Sequence, residues 1–183
     1  MQAIDKFFDV PREKVKTTKG EVELPILYYE LEILLALFLV DKKPAEKLLS
    51  AVKLKPVEVP LGKTIAGLAF YRYDHTTVGT YNEVGLGIAA VPQEQVLPLL
   101  SVTDFLRRTE KRRLGFYITD LPVTTPEANA AGREIWGYPK FVTKLPMEFS
   151  DNGFKGGVFD PSGGEICTLS GSMRTWLKLP AFD

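Results

Sequence analysis

Lys140 is the residue of this sequence best placed to do chemistry. It follows Tyr138 and Pro139, and it opens a β-type run that continues with Phe141. A lysine held rigidly among large apolar side chains is partly desolvated, and desolvation favours the neutral amine over the ammonium. An amine that is neutral near pH 7 attacks carbonyl carbons and forms Schiff bases. The alternative is an exposed lysine at the start of a strand, where lysines commonly face water or protect a sheet edge.

A helix directly before this lysine must position it. Thr125 has the hydroxyl of an N-cap, Pro126 fits the first helical position, and Glu127 places an acid in the first turn. Gly137 suits the left-handed position after the last turn, and Pro139 prevents the helix from continuing. The pattern therefore predicts a helix that ends shortly before the lysine and a strand that begins at it.

Three stretches carry a resemblance to a known family. Residues 132–140 resemble the signature of the acetoacetate decarboxylase family, in which Gly-Arg-Glu, aromatic residues and Pro-Lys present the Schiff-base lysine. Residues 78–83 resemble the family's Gly-x-Tyr-x-Glu segment, whose glutamate lies in the active site. Residues 22–29 resemble its early strand with a Leu-Pro-Ile pattern. The resemblance covers roughly residues 20 to 170 and is specific because the stretches follow the family's order.

The resemblance implies a lyase. Lys140 is expected to form an imine with the ketone of a small β-keto acid, and the adduct then loses carbon dioxide. Glu83 is expected to shuttle protons or to position the substrate. Glu134 is expected to support the lysine loop through Arg133 rather than to touch the substrate. The side chains expected to bind the substrate are those of Tyr81, Trp136, Tyr138 and Phe141.

Several features differ from the family's pattern. Phe141 stands where the decarboxylases have a second lysine, so burial rather than a neighbouring cation would keep the amine neutral. Glu21 lies near the position of an early arginine that engages the substrate carboxylate, and Leu68 lies near a further acidic position. The sequence ends at Asp183, before strands that family members usually add. We expect either a short variant or a barrel that a partner subunit completes.

Imine chemistry is therefore better supported than decarboxylation, and two alternatives stay open. One is a lysine-imine aldolase or dehydratase that acts on an oxo-acid, which would turn over without releasing carbon dioxide. The other is a non-catalytic member of the family that binds a small ligand. In that protein Lys140 would be only a polar anchor, and no imine would form with any oxo-acid.

The composition is that of an ordinary globular protein with a single domain over residues 1–183, 45% hydrophobic and 25% charged. Its 23 basic and 23 acidic residues give zero net charge, which removes the general electrostatic argument for a nucleic-acid or membrane partner. Cys167 is the only cysteine, and the N-terminus lacks the apolar core of a signal peptide. We expect a cytoplasmic homo-oligomer whose partner is a small oxo-acid.

Other chemistries lack the residues that they need. His75 is the only histidine and lies in a polar connector, and no Gly-x-Ser-x-Gly elbow accompanies it, so a serine triad is not predicted. One histidine and one cysteine argue against a structural zinc site. No Gly-x-Gly-x-x-Gly sequence supports a nicotinamide or flavin fold. We therefore expect neither a metal nor a cofactor.

Strands in hairpins dominate the predicted fold. The apolar run over residues 33–40 is interpreted as a buried strand. Three short helices are predicted: one after Asp41, one around residues 97–106 and the one before Lys140. This pattern indicates an α+β fold with a mostly antiparallel, curved sheet. The family resemblance adds a cone-like β-barrel that encloses the lysine pocket. The strands are predicted over residues 21–29, 31–40, 64–73, 81–91, 114–118, 141–149, 154–159 and 165–173.

Overall fold

A computed structural model of the chain describes residues 6–95, 104 and 107–172. Within these ranges the chain forms eleven β-strands and two α-helices, which confirms the prediction of a strand-rich protein with few helices. The helix predicted around residues 97–106 falls largely outside the described residues. In the part of the chain that is described, no helix is long and apolar enough to cross a membrane.

The helices are α1 (Lys42–Leu49) and α2 (Pro126–Trp136). The strands are β1 (Glu13–Thr17), β2 (Gly20–Leu24), β3 (Tyr28–Asp41), β4 (Leu54–Pro56), β5 (Lys63–Thr76), β6 (Tyr81–Pro92), β7 (Gly115–Val123), β8 (Lys140–Val142), β9 (Met147–Ser150), β10 (Gly153–Phe159) and β11 (Glu165–Ser172).

The main sheet has the strand order β3-β5-β6-β7-β8, and β4 pairs with β6 beside this path. Its pairs are antiparallel except β7 and β8, which run parallel. A parallel pair needs a crossover connection, and α2 supplies it. The crossover places Lys140, the first residue of β8, opposite Leu121 of β7.

A second sheet, with the order β11-β10-β9, packs against one face of the main sheet. Their shared core is built from Phe70, Val84, Leu145, Phe154 and Val158. The strands β1 and β2 form a separate hairpin. The described strands thus form three sheets and do not close into a barrel, so the predicted cone-like barrel is not seen in this part of the chain.

The opposite face of the main sheet is only partly covered by other elements. At one end α2 packs on Tyr73, Tyr81 and Val123 through Ala128. The small side chains of α2 let the helix approach the sheet closely. Beyond α2 the same face is open, and this opening forms the cavity described below.

The interpretation of residues 33–40 as a buried strand is wrong. They belong to β3, which pairs only with β5 among the described strands and is therefore an edge of the sheet. Ile33, Leu35 and Leu37 are 53%, 55% and 53% exposed on its open face. An apolar run predicts a strand, but it does not reveal whether both of its faces are covered.

Other predicted bounds shift for local reasons. The single strand predicted over residues 141–149 is two strands, β8 and β9, separated by a segment that contains Pro146. Proline has no N–H group to donate to a strand ladder, so a break there is expected. Asp41 precedes α1 as predicted, but its carboxylate makes no capping bond and pairs with Lys63 instead, at 2.8 Å.

Candidate active site

Lys140 and Glu83 lie side by side in the folded chain, although 57 positions separate them. The lysine Nζ donates a hydrogen bond to Oε2 of Glu83 at 2.5 Å. The two residues are only 7% and 8% exposed. The pair is therefore a desolvated, charge-assisted hydrogen bond, which is stronger than a bond between neutral groups. A lysine exposed at a strand edge, the alternative considered from the sequence, is excluded by this burial.

The sheet register brings the two residues together. Glu83 of β6 is opposite Val123 of β7, and Leu121 of β7 is opposite Lys140 of β8. Lys140 therefore lies on β8, two strands away from Glu83 on β6, and its long side chain crosses over β7 to reach the carboxylate. The parallel pairing of β7 and β8 determines the distance between the lysine backbone and Glu83, because it fixes the position of Lys140 along the sheet.

The helix α2 forms as its sequence predicts. The Thr125 side chain accepts a hydrogen bond from the backbone N–H of Ala128, and Pro126 is the first helical residue. Gly137 adopts the left-handed conformation with φ of 69°, and its N–H donates to the carbonyl of Arg133. The left-handed residue ends the helix, so that the chain can enter β8 after only three residues.

Gly132 leaves the space that the side chain of Lys140 occupies. A Cβ atom at this position would lie 2.5 Å from Cε and 3.1 Å from Nζ of Lys140. The lysine stem therefore runs directly over the bare backbone of α2, and no residue other than glycine leaves this space. Gly132 is part of the family-like signature, but the sequence alone did not assign it this role.

Arg133 fixes the backbone of the lysine. Its Nη1 donates to the carbonyl oxygen of Lys140 at 2.7 Å. Glu134 does not act through Arg133, as the sequence interpretation expected. It instead accepts hydrogen bonds from the backbone N–H and the hydroxyl of Thr18, at 2.9 and 2.5 Å, and so ties the β1–β2 hairpin to α2.

Tyrosines surround the carboxylate. Tyr73 and Tyr81 are buried and face each other across β5 and β6, while Tyr71 is opposite Glu83. Burial raises the pKa of Tyr73 and of Tyr81 well above the usual value, and the negative charge of Glu83 raises both further. The Tyr28 and Tyr81 hydroxyls lie 3.2 Å apart. These phenols stay protonated at neutral pH and can donate hydrogen bonds.

A cavity of about 550 Å³ opens beside the ion pair. Lys140, Glu83 and Tyr81 line it, together with the half-exposed aromatic rings of Trp136 and Tyr138. The lysine Nζ lies 5.8 Å from the centre of the Tyr81 ring. A volume of this size falls in the range of clefts that hold small-molecule ligands.

Phe141 is not among the residues that line the cavity. Successive side chains of a strand point to opposite faces, so Phe141 is directed away from the face that carries Lys140. Its backbone pairs with Pro122 in the β7–β8 ladder. The prediction that Phe141 contacts the substrate therefore does not agree with its placement, whereas all five other predicted site residues, Lys140 included, line the cavity.

The sequence interpretation missed Tyr71, Tyr73 and the small residues of the cavity. A signal for them was present, because residues two apart on a strand share a face. Once Tyr81 and Glu83 are assigned to the site, the alternation Tyr71, Tyr73 on the preceding strand points to the same face. Only the register of the hairpin shows that these tyrosines are opposite Tyr81 and Glu83.

A sequence profile of the acetoacetate decarboxylase (ADC) family matches residues 10–179. This match covers most of the chain. The chain belongs to the acetoacetate decarboxylase family. No protein in the curated collection of characterised sequences matches it.

Two solved acetoacetate decarboxylase structures resemble this fold. One, from a structural study of acetoacetate decarboxylase, has a TM-score of 0.58 and 17% identity and covers 80% of this chain and 50% of its own. The other, acetoacetate decarboxylase from Legionella pneumophila, has a TM-score of 0.51 and 14% identity and covers 90% of this chain and 70% of its own. The chain thus spans about half the length of the first structure. At such identities the likeness concerns the fold.

Two positions that differ from the acetoacetate decarboxylase pattern, Glu21 and Leu68, lie away from the ion pair, whereas the third, Phe141, directly follows Lys140. Glu21 is in the β1–β2 hairpin, where it pairs with Lys14 at 3.3 Å on an exposed surface. Leu68 packs into the core between the two larger sheets, on the face opposite the cavity. Neither residue lines the cavity.

Proposed function

We propose that this member of the acetoacetate decarboxylase family is a carbon–carbon lyase that decarboxylates a β-keto acid through an imine on Lys140. The observation that carries the proposal is the buried hydrogen bond of 2.5 Å between Lys140 and Glu83 at the wall of a cavity. In this proposal Lys140 is the nucleophile and Glu83 is the proton acceptor, and their contact at the cavity wall supports both roles because a small carbonyl compound can reach it.

The first step is a proton transfer. The ammonium of Lys140 passes a proton to the carboxylate of Glu83 across their hydrogen bond, which leaves a neutral amine. The sequence interpretation assigned the loss of the proton to desolvation alone. In this proposal the carboxylate of Glu83, which is hydrogen-bonded to Nζ, receives the proton when the substrate arrives.

Carbon–nitrogen bond formation follows. The lone pair of Nζ attacks the ketone carbon, and the resulting carbinolamine loses water as Glu83 returns its proton to the leaving hydroxyl. The product is a positively charged iminium. The bond between the α-carbon and the carboxylate then breaks, its electron pair enters the iminium to give an enamine, and carbon dioxide leaves. A proton from solvent adds to the enamine carbon, and water then hydrolyses the resulting iminium, which releases a ketone and restores Lys140.

The tyrosines and the aromatic wall support these steps. We assign Tyr81 to the orientation of the substrate, since it lines the cavity and its ring lies below Nζ. Trp136 and Tyr138 are assigned to the mouth of the cavity, where both are about half exposed. Closing these rings over a bound substrate would remove water from the reacting atoms.

Reductive trapping tests the proposal. The protein is incubated with acetoacetate or pyruvate, reduced with borohydride and digested, and the peptides are mapped by mass. We expect an adduct on Lys140, its absence in Lys140→Met, and its retention in Lys144→Met, which removes an exposed lysine four positions away. A failure to trap any oxo-acid would favour the binding-protein alternative.

Product analysis separates the two catalytic alternatives. The decarboxylase releases one carbon dioxide for each ketone formed, and this gas is measured with labelled carboxylate. An adduct on Lys140 that turns over without labelled carbon dioxide would favour the aldolase or dehydratase alternative.

Three further expectations belong to this proposal. The cone-like barrel, the cytoplasmic location and the homo-oligomer remain predictions. The open apolar face of β3 is a surface that a second copy of the chain could cover, because β3 is a long edge strand. Light scattering of the purified protein measures the oligomeric state.

A further inference from the structure

The site residues belong to a row that crosses the whole main sheet. Leu35 of β3 is opposite Ala69 of β5, and Ala69 is opposite Gly85 of β6. The Gly85 position contacts Leu121 of β7, which in turn is opposite Lys140 of β8. Four strand spacings separate the two ends of the row, a span of about 19 Å. The backbone of Lys140 thus lies at one end of this row and Leu35 at the other, while Nζ reaches back to Glu83 on β6, two strand spacings or about 10 Å from β3.

The middle of this surface has no large side chains. Ala69 and Gly85 form one cross-strand pair, and Gly67 and Gly87 form the next pair along the same strands. All four line the cavity, so they make a shallow floor that begins beside Glu83 and runs towards β3. An added Cβ would lie 3.0 Å from the Phe116 ring at Gly67 and 3.2 Å from Phe116 and Ile118 at Gly87, so these side chains cover that end of the floor, whereas at Gly85 only Leu121 comes within 4 Å.

The sides of this floor are apolar. They are formed by Leu35, Phe116, Ile118 and Leu121. Among the described residues that line the cavity, only Lys140 and Glu83 carry a charge. The described part of the cavity therefore offers a carboxylate no cation other than the reacting lysine, so apart from hydrogen bonds to tyrosine hydroxyls the binding energy for a substrate comes from apolar contact.

We propose that the substrate is a β-keto acid whose ketone carbon bears an apolar chain or ring, and that this group lies on the Ala69 and Gly85 floor and ends against Leu35. This inference rests on the proposed imine chemistry and adds the substrate class. Acetoacetate has only a methyl group on its ketone carbon, so the floor would remain in contact with water when acetoacetate is bound. A longer chain fills the cavity, and its binding energy offsets the cost of bringing the carboxylate out of water.

The chain length of the substrate is the experimental variable. Acetoacetate, 3-oxohexanoate and 3-oxooctanoate are compared by the release of labelled carbon dioxide. Each buried methylene is expected to raise kcat/KM about fourfold, so 3-oxooctanoate should exceed acetoacetate by on the order of 100-fold. Equal kcat/KM values, or a decrease with chain length, would overturn the inference while leaving the imine chemistry intact.

Leu35 provides a variant at the far end of the floor. Leu35 is 55% exposed, so Leu35→Glu adds a charge with little damage to the core. In this variant the increase of kcat/KM with the chain length of the substrate is expected to disappear, because the end of the chain would meet a charged group. The matched control is Leu39→Glu, since Leu39 lies on the same face of the same strand, is 68% exposed and does not line the cavity. The control should keep the gain. Both variants place the same charge on the open face of β3, so an effect on subunit association would appear in both.

A second variant and a second measurement keep the test decisive. If Leu35→Glu does not fold, Leu35→Trp fills the end of the floor with an apolar group and should reverse the preference between 3-oxooctanoate and 3-oxohexanoate. Calorimetry with 2-heptanone and 2-butanone measures binding without turnover, and 2-heptanone should bind at least tenfold more tightly. Tight binding of 2-heptanone without any borohydride-trapped adduct would refute the imine proposal and retain the apolar site, whereas equal binding of the two ketones would refute the apolar site.

Discussion

Replacing Gly132 by alanine is the sharpest test of how the fold positions Lys140. The added methyl carbon would lie 2.5 Å from Cε of the lysine. Apolar carbon atoms pack at about 3.5–4.0 Å, so one of the two must move by roughly 1 Å. The helix backbone is held by its hydrogen bonds, whereas the lysine side chain can rotate. We therefore expect the lysine to swing away from Glu83.

The predicted effect separates activity from stability. A displacement of about 1 Å at a reacting group can reduce turnover by about 100-fold. Alanine inside a helix is more favourable than glycine by about 0.5–1 kcal/mol, which partly offsets a crowding cost of about 1–3 kcal/mol. The variant should thus remain folded, with a free energy of unfolding within about 2 kcal/mol of the wild type, and should lose most of its activity.

The assay is the rate of borohydride trapping on Lys140 together with urea unfolding. Gly171→Ala is the control, because an added Cβ there meets no atom within 4 Å. The control should show the wild-type trapping rate and should be no less stable than the wild type. A wild-type trapping rate in Gly132→Ala would show that the lysine stem does not need this space and that Gly132 does not position Lys140.

Further predictions concern the ion pair, the loop and the tyrosines. Glu83→Gln cannot accept the lysine proton, so kcat should fall by about 10²–10⁴, measured by carbon dioxide release; a smaller loss would remove Glu83 from the mechanism. Arg133→Met leaves the Lys140 carbonyl without its charged donor and should lower the free energy of unfolding by about 1–2 kcal/mol in urea titration, whereas an unchanged midpoint would contradict the role of this bond. Burial keeps the pKa of Tyr73 and of Tyr81 above the usual 10, so above pH 10 the unfolded chain binds fewer protons than the folded chain. The stabilising contribution is fully present below pH 10, and above it the free energy of unfolding should fall by up to about 1.4 kcal/mol per pH unit for each tyrosine. Urea titrations between pH 9 and pH 11 that showed no decline would contradict this prediction.

Local chemistry could be predicted from the sequence because it depends on neighbouring residues. Thr125, Pro126 and Gly137 determine where α2 begins and ends, and the structure confirms each of them. The strands β5 and β6 are likewise within a few residues of their predicted bounds. Hydroxyl caps, a fixed proline φ and the left-handed conformation of glycine all act over one helical turn, so no knowledge of the rest of the fold is needed.

The faces and partners of the strands depend on the tertiary structure. The apolar run in β3 was interpreted as buried, and Phe141 was placed in the pocket, because a sequence does not show which face of a strand is covered. The pair of Lys140 and Glu83 was inferred through family resemblance, since spacing along the chain contains no information on contacts 57 positions apart. Only the sheet order β6-β7-β8 and the crossover through α2 bring the two groups together, and only the hairpin register builds the apolar floor beside them. The amino-acid sequence thus determined the lysine that we propose as the reactive group, while the long-range pairing of strands decided its partner and the shape of the space in front of it.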